Sequence, residues 1–162
     1  MEETGQTVQE TQKVQAEQTG ENGKNVGMPE CETMELIMES RSENEEFARV
    51  VAAVFASRLD PTLEELDDIK TAVSEAVTNC IVHAYRDTIG LVTIRCRILP
   101  DSVLDVVVRD KGCGMEDIEK ARTPMFTTGG PERSGMGFTI MESFMTSLQV
   151  TSKPGRGTTV HM

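Results

Sequence analysis

Nowhere in this sequence of 162 residues do apolar side chains run long enough to cross a bilayer, which takes about 20 in a row. Nor does the N-terminus carry the basic-then-apolar pattern of a secretory signal. Both absences predict a soluble, cytoplasmic protein that makes no use of a membrane. Positive charge is scarce too: 16 Lys and Arg stand against 27 Asp and Glu, for a formal net charge of −11. A nucleic-acid binder needs a basic face to neutralise phosphates, so that class of partner is excluded. The cysteines, Cys31, Cys80, Cys96 and Cys113, form no C-x-x-C pair and have no histidine at zinc spacing, which leaves reduced thiols as the expectation. Three nucleotide signatures are also missing: a G-x-x-x-x-G-K-[ST] loop, a G-x-G-x-x-G after a strand, and a protein-kinase catalytic loop. Any nucleotide has to be held by another device.

Large apolar side chains are nearly absent from residues 1–30, a stretch of Glu, Gln, Thr, Gly and Asn. It cannot bury enough surface to offset its ordering entropy, so we expect a disordered acidic, polar tail there and one domain over 31–162. From Glu32 the pattern changes. "TMELIMES" sets Met34, Leu36 and Met38 against Glu35, Ile37 and Glu39, the alternation of a strand. A first helix should open at Ser42, with Glu45 completing a capping box and Phe47, Val50, Val51, Val54, Phe55 and Leu59 at helical spacing. Asp60-Pro61 ends it, and a second, longer helix follows. Two strands, "LVTIRCRIL" and "VLDVVVRD", meet at Pro100-Asp101-Ser102. After a glycine turn and a long irregular segment come a helix behind Gly135 and Gly137 and a last hairpin turning at 153–157. That order predicts an α+β, two-layer sandwich with helices on one face of a mostly antiparallel, mixed sheet.

The second helix carries an apolar stripe of Leu66, Ile69, Val73, Val77, Cys80 and Ala84. Its other face, from Thr71 to His83, has no Lys or Arg, and Glu75 is its only formal charge. A face so small and neutral should be covered rather than solvated. Glu75 and Asn79, one turn apart, project into that covered space. The pair fits a base beside a Mg²⁺ ligand, and it equally fits an ordinary helix hydrogen-bond pair. Asp110 shares the phase of Leu104, Val106 and Val108, which turns its carboxylate inward with no basic residue of the strand beside it. A buried acid needs a partner. The exocyclic amine of adenine would serve, with Gly112 and Gly114 letting a flat ring approach, and an Asp-Gly turn at a strand end accounts for the same residues. Lastly, "RSGMG" puts Gly135 and Gly137 at a helix N-terminus, where bare N–H groups and the helix dipole suit a phosphate. A flexible loop would explain them too.

Taken in order, E-x-x-x-N on a helix, D-x-G-x-G after a strand, G-x-G opening a helix and "GTT" in a last strand resemble the motif set of the GHKL ATPase superfamily. More narrowly, "SENEEFARV", "RLDPTLEELDDIKTAVSEAVTN", "FTT" and "ERSGMGFTIMESFM" are similar to the anti-sigma F factors (the stage II sporulation AB family) of spore-forming bacteria. The resemblance implies the GHKL (Bergerat) fold and an ATP-dependent protein serine kinase. Such a protein is a homodimer that binds and inhibits a sporulation sigma factor and, with ATP and Mg²⁺, phosphorylates a serine on an anti-anti-sigma factor. It also implies roles for residues here: Glu75 as general base, Asn79 as the Mg²⁺ ligand, and Asp110 as acceptor for the adenine amine, with Gly112 and Gly114 shaping the base pocket. Ser134, Gly135, Met136 and Gly137 would meet the phosphates, and Thr158 would support the adenine end. Thr127 and Thr128 would touch the nucleotide from a lid, "MEDIEKARTPMFTTGGPER". Arg133 would steady the transferring phosphoryl group, and His83, one turn past Asn79, would reach toward the phosphates. The first helix is a candidate partner surface. Two readings compete: a nucleotide-gated module that sequesters the sigma factor without kinase activity, and a general-stress anti-sigma kinase that shares the chemistry and differs in its partners.

Overall fold

The computed structural model describes residues 31–123 and 135–162. The tail and the stretch with Thr127, Thr128, Arg133 and Ser134 lie outside the described residues, as does most of the expected lid. Five strands, β1 (Glu32–Glu39), β2 (Leu91–Leu99), β3 (Val103–Arg109), β4 (Gln149–Lys153) and β5 (Gly157–His161), form one sheet in the order β1-β2-β3-β5-β4. Four helices accompany them: α1 (Glu43–Ala56), α2 (Leu63–Asn79), α3 (Ile118–Arg122) and α4 (Gly137–Phe144). Every pairing is antiparallel. The parallel pair that a mixed sheet would need is not found among the described residues. No helix among them is long and apolar enough to cross a membrane.

Alternation decides which face of the sheet is covered. Val92, Ile94 and Cys96 of β2 and Val106 and Val108 of β3 are buried on one face, against Val73 and Val77 of α2 and Met141 of α4. Asp105, out of phase with them, accepts from Arg97 Nε (2.8 Å) and pairs with His161. Those contacts tie β3 to β2 and β5 from the open side. Burial alone would raise the Asp105 carboxyl, but the two hydrogen bonds outweigh it and hold the group below its ordinary value.

Two sequence expectations for α1 fail. Ser42 makes no side-chain cap: it is itself helical, at φ −58° and ψ −34°, Glu45 N donates to its carbonyl oxygen and not its hydroxyl, and the Glu45 carboxylate accepts from Ser74 of α2. The stripe also faces elsewhere than its hydrophobicity suggests. Ala48, Ala52, Ala53, Phe55 and Ala56 are buried, while Phe47, Val50 and Val54 are 55%, 46% and 65% exposed. Small side chains let α1 lie close to α2, and that close packing turns the bulkier row outward. The capping box belongs to α2: Thr62 Oγ1 accepts from Glu65 N (3.2 Å) and Thr62 N donates to Glu65 Oε2 (2.7 Å). The helix then widens into a π turn over Cys80–Ala84, a departure that frequently marks functional sites. The irregular segment is also more ordered than expected at its start, where Asp117 caps α3 by accepting from Lys120 N (2.9 Å) and Arg122 pairs with Glu142 of α4.

Candidate active site

The weakly charged face of α2 is covered, as its composition predicts. None of the residues 71–79 is exposed, and α1 and α4 pack along the helix. Glu75 and Asn79 meet the first residue of α4. A Cβ built on Gly137 would lie 2.8 Å from Glu75 Oε2 and 3.5 Å from Asn79 Nδ2. That position is glycine because the acid occupies the space a side chain would take. Asn79 Nδ2 is buried with no hydrogen-bond partner among the described residues, an unsatisfied polar group of the kind that otherwise needs a ligand or water.

The contact yields a prediction. Gly137→Ala would push the carboxylate aside by moving only the far end of a flexible side chain, so the fold should survive. Displacing a reacting group by about 1 Å can cost 10²-fold in rate. With Glu75 in the role the resemblance implies for it, phosphotransfer should therefore fall at least tenfold on that scale, with the thermal midpoint nearly unchanged; a matched loss of both would show that the glycine serves packing.

Asp110 sits just past β3, 3% exposed. Its Oδ1 accepts from Gly112 N (2.8 Å) and Thr158 N (3.2 Å), and Asp110 N donates to Thr158 O (3.0 Å). The "GTT" strand thus supports the acid through its backbone. Burial pushes the Asp110 carboxyl above its ordinary value, against the opposing pull of Gly112 N–H, Thr158 N–H and the Cys80 thiol.

The glycines of D-x-G-x-G have a different reason from the flat ring first suggested. A Cβ on Gly112 would lie 2.3 Å from Ala84 O, and one on Gly114, at φ +69°, 2.1 Å from Lys153 O. Protein backbone fills both places. Cys113 N donates to Ala84 O (2.9 Å), which binds the loop to the π turn.

These elements enclose one cleft of about 1020 Å³, at the upper limit of the roughly 300–1,000 Å³ usual for small-molecule sites. Glu75, Asn79 and His83 line it from α2 and the π turn, Asp110 and Thr158 from the sheet, and Gly114, Gly135, Met136 and Gly137 from the two glycine loops. Gly135 has a φ of +63°, which favours glycine. Gly112 alone of the described candidates does not line the cleft; it is turned against Ala84. Sequence reasoning missed Arg86, Lys120 and the cleft-facing side of Cys80. Lys120 fell in a segment without a readable period. Cys80 was placed in the apolar stripe, and nothing in its phase separates core from cleft floor.

Comparison with known proteins agrees with this geometry. The histidine kinase-like ATPase domain family matches residues 38–162. Curated relatives named anti-sigma F factor, from Caldanaerobacter subterraneus subsp. tengcongensis and Clostridium acetobutylicum, are 59% and 56% identical over 130 residues, 80% of this chain and 90% of each relative. One from Geobacillus kaustophilus is 55% identical over 131 residues, 80% of this chain and 89% of the relative. Among solved structures, the blue-light activated histidine kinase of Erythrobacter litoralis EL346 shares the fold, with a TM-score of 0.50 at 24% identity, over 69% of this chain and 38% of that one. A cleft that gathers motifs from both layers of the sandwich, in a chain this close to those relatives along most of its length, places the protein in the anti-sigma F factor family of histidine kinase-like ATPase domains.

Proposed function

We propose that this protein binds a sporulation sigma factor of the sigma F type, holds it inactive, and uses ATP to phosphorylate a serine on an anti-anti-sigma factor in the cytoplasm. The observation that carries the kinase part is the contact of Glu75 with the start of α4. A module that only sequesters its partner needs a nucleotide pocket, but no carboxylate held at the phosphate end of it.

In this reading Asp110 accepts the adenine amine, and the N–H groups at Gly135, Met136 and Gly137 meet the phosphates at the N-terminus of α4. Glu75 takes the proton from the attacking serine hydroxyl. Asn79 stands beside a carboxylate in a covered cleft, and its carbonyl oxygen is the kind of donor a hard cation prefers, while its orphaned Nδ2, an N–H donor, would be satisfied by a phosphate oxygen. Mg²⁺ held there would supply charge neutralisation for the phosphates. His83 would approach the phosphates from the next turn, and Arg133, Ser134, Thr127 and Thr128 would complete the site. The test is transfer from γ-labelled ATP, with Mg²⁺, to a purified anti-anti-sigma partner. Label on a partner serine is expected. Tight ATP and sigma-factor binding with no label would leave the sequestering module instead.

The outward row of Phe47, Val50 and Val54 supports a homodimer. A two-fold interface is self-complementary, and an apolar helical row can meet its own copy across the axis. A charge at its centre, as in Val50→Asp, is expected to shift the protein from dimer to monomer in sedimentation while ATP binding persists. An unchanged dimer would move the interface elsewhere.

A further inference from the structure

We propose that Cys80 is a positioning residue for the purine end of the nucleotide: its thiol holds the Asp110 carboxylate in the orientation that accepts an exocyclic amine, and so sharpens the choice of an aminopurine. The proposal rests on the reading of Asp110 as the adenine acceptor. The two oxygens of that carboxylate are held differently. Oδ1 takes the backbone donors Gly112 N and Thr158 N, whereas Oδ2 lies 3.7 Å from Cys80 Sγ. Cys80 is 4% exposed and reaches the cleft floor beside Asp110.

The single thiol proton has a second acceptor within reach, Ala76 O at 3.3 Å. That carbonyl already accepts the backbone N–H of Cys80. A hydrogen bond to a charged acceptor is roughly twice as strong as one to a neutral carbonyl, so the carboxylate draws the proton. An ordinary thiol, with a value of about 8.5, is already protonated at neutral pH, so Cys80 is a donor there. Among the described residues Tyr85 also feels the charge of Asp110, and its hydroxyl is engaged with Lys111 N and Leu91 O. Without the sulfur, Oδ2 loses its described donor and the carboxylate is held through Oδ1 alone. The carboxylate is then free to turn or to take up a proton, and either change weakens it as an acceptor.

The test compares binding of ATP with that of purine riboside triphosphate, which lacks the 6-amino group, in wild type, Cys80→Ala and Cys80→Ser. Wild type is expected to prefer ATP. Cys80→Ala should reduce that preference about fivefold, the scale of one hydrogen bond, while its affinity for the amine-free analogue, a check on the fold, stays put. Cys80→Ser, which keeps a donor, should restore the preference. A wild type with no preference overturns the adenine reading of Asp110 itself. A wild-type preference that survives intact in Cys80→Ala, or an equal loss of both nucleotides in that variant, overturns the role of Cys80 alone.

Discussion

Glu75→Gln should silence phosphotransfer while leaving the nucleotide bound. The carboxamide keeps the shape of the acid, so it still fills the space beside Gly137 and leaves the start of α4 in place. What it loses is the capacity to accept a proton from the attacking hydroxyl. General-base catalysis of that kind contributes typically about 10²–10⁴-fold, and the transfer rate should fall by that factor. ATP affinity, which the proposed reading assigns to Asp110 at one end and the α4 N-terminus at the other, should change by less than about threefold, under 1 kcal/mol. Single-turnover transfer beside a binding isotherm separates the two effects. A mutant that transfers at the wild-type rate would show that the base lies elsewhere and that Glu75 serves the packing of α2 on α4.

The second large effect concerns Asp110→Asn, and it runs in opposite directions for binding and for stability. The amide presents a donor where the adenine amine needs an acceptor. It removes a charged hydrogen bond and leaves an amine facing an amine, so ATP affinity should drop at least 10²-fold, the scale of about 3 kcal/mol. Stability should rise. A carboxyl held above its ordinary value contributes stability that is fully present below the unfolded value and is lost as pH rises through the folded one. At neutral pH the buried, ionised Asp110 is therefore a liability to the fold. The neutral amide removes that penalty, and its oxygen can still accept from Gly112 N and Thr158 N. The thermal midpoint at pH 7 should rise, by roughly 2–6 °C for each kcal/mol of penalty removed in a domain of 100–200 residues. The gain should shrink as pH is lowered. A mutant that is less stable at pH 7 would show that the carboxylate is needed by the fold as well as by the ligand.

Much of the site was legible in the sequence because its signals are local. The alternation of β3 turned Asp110 inward, and the missing charge on α2 announced a covered face. What could not be read depends on partners far along the chain. Ser42 and Glu45 have the spacing of a capping box, yet Glu45 is taken by Ser74, 29 residues away, while the same spacing at Thr62 and Glu65, not singled out in the sequence, is the box that forms. Which face α1 buries could not be read from its spacing, because Phe and Val outweigh Ala on any hydrophobicity scale, whereas close packing on α2 favours the alanines. The glycines of D-x-G-x-G were recognised for their spacing, but their cause is the approach of Ala84 O and Lys153 O, which no local pattern reveals.

The π turn at the end of α2 also bears on how the domain opens. Its carbonyls hold Cys113, and Tyr85, just beyond, holds Lys111. The loop that follows Asp110 is thereby fastened to the same helix that fills the core with Val73 and Val77. Local fluctuations are drawn from regions with few such ties. The Asp110 end of the cleft is accordingly expected to melt with the core, and amide exchange at Cys113 should then follow global unfolding rather than local opening. In the proposed reading, recognition of the base is inherited from the rigidity of the core, so a substitution deep in that core should register as a change in nucleotide affinity before it registers as a loss of fold.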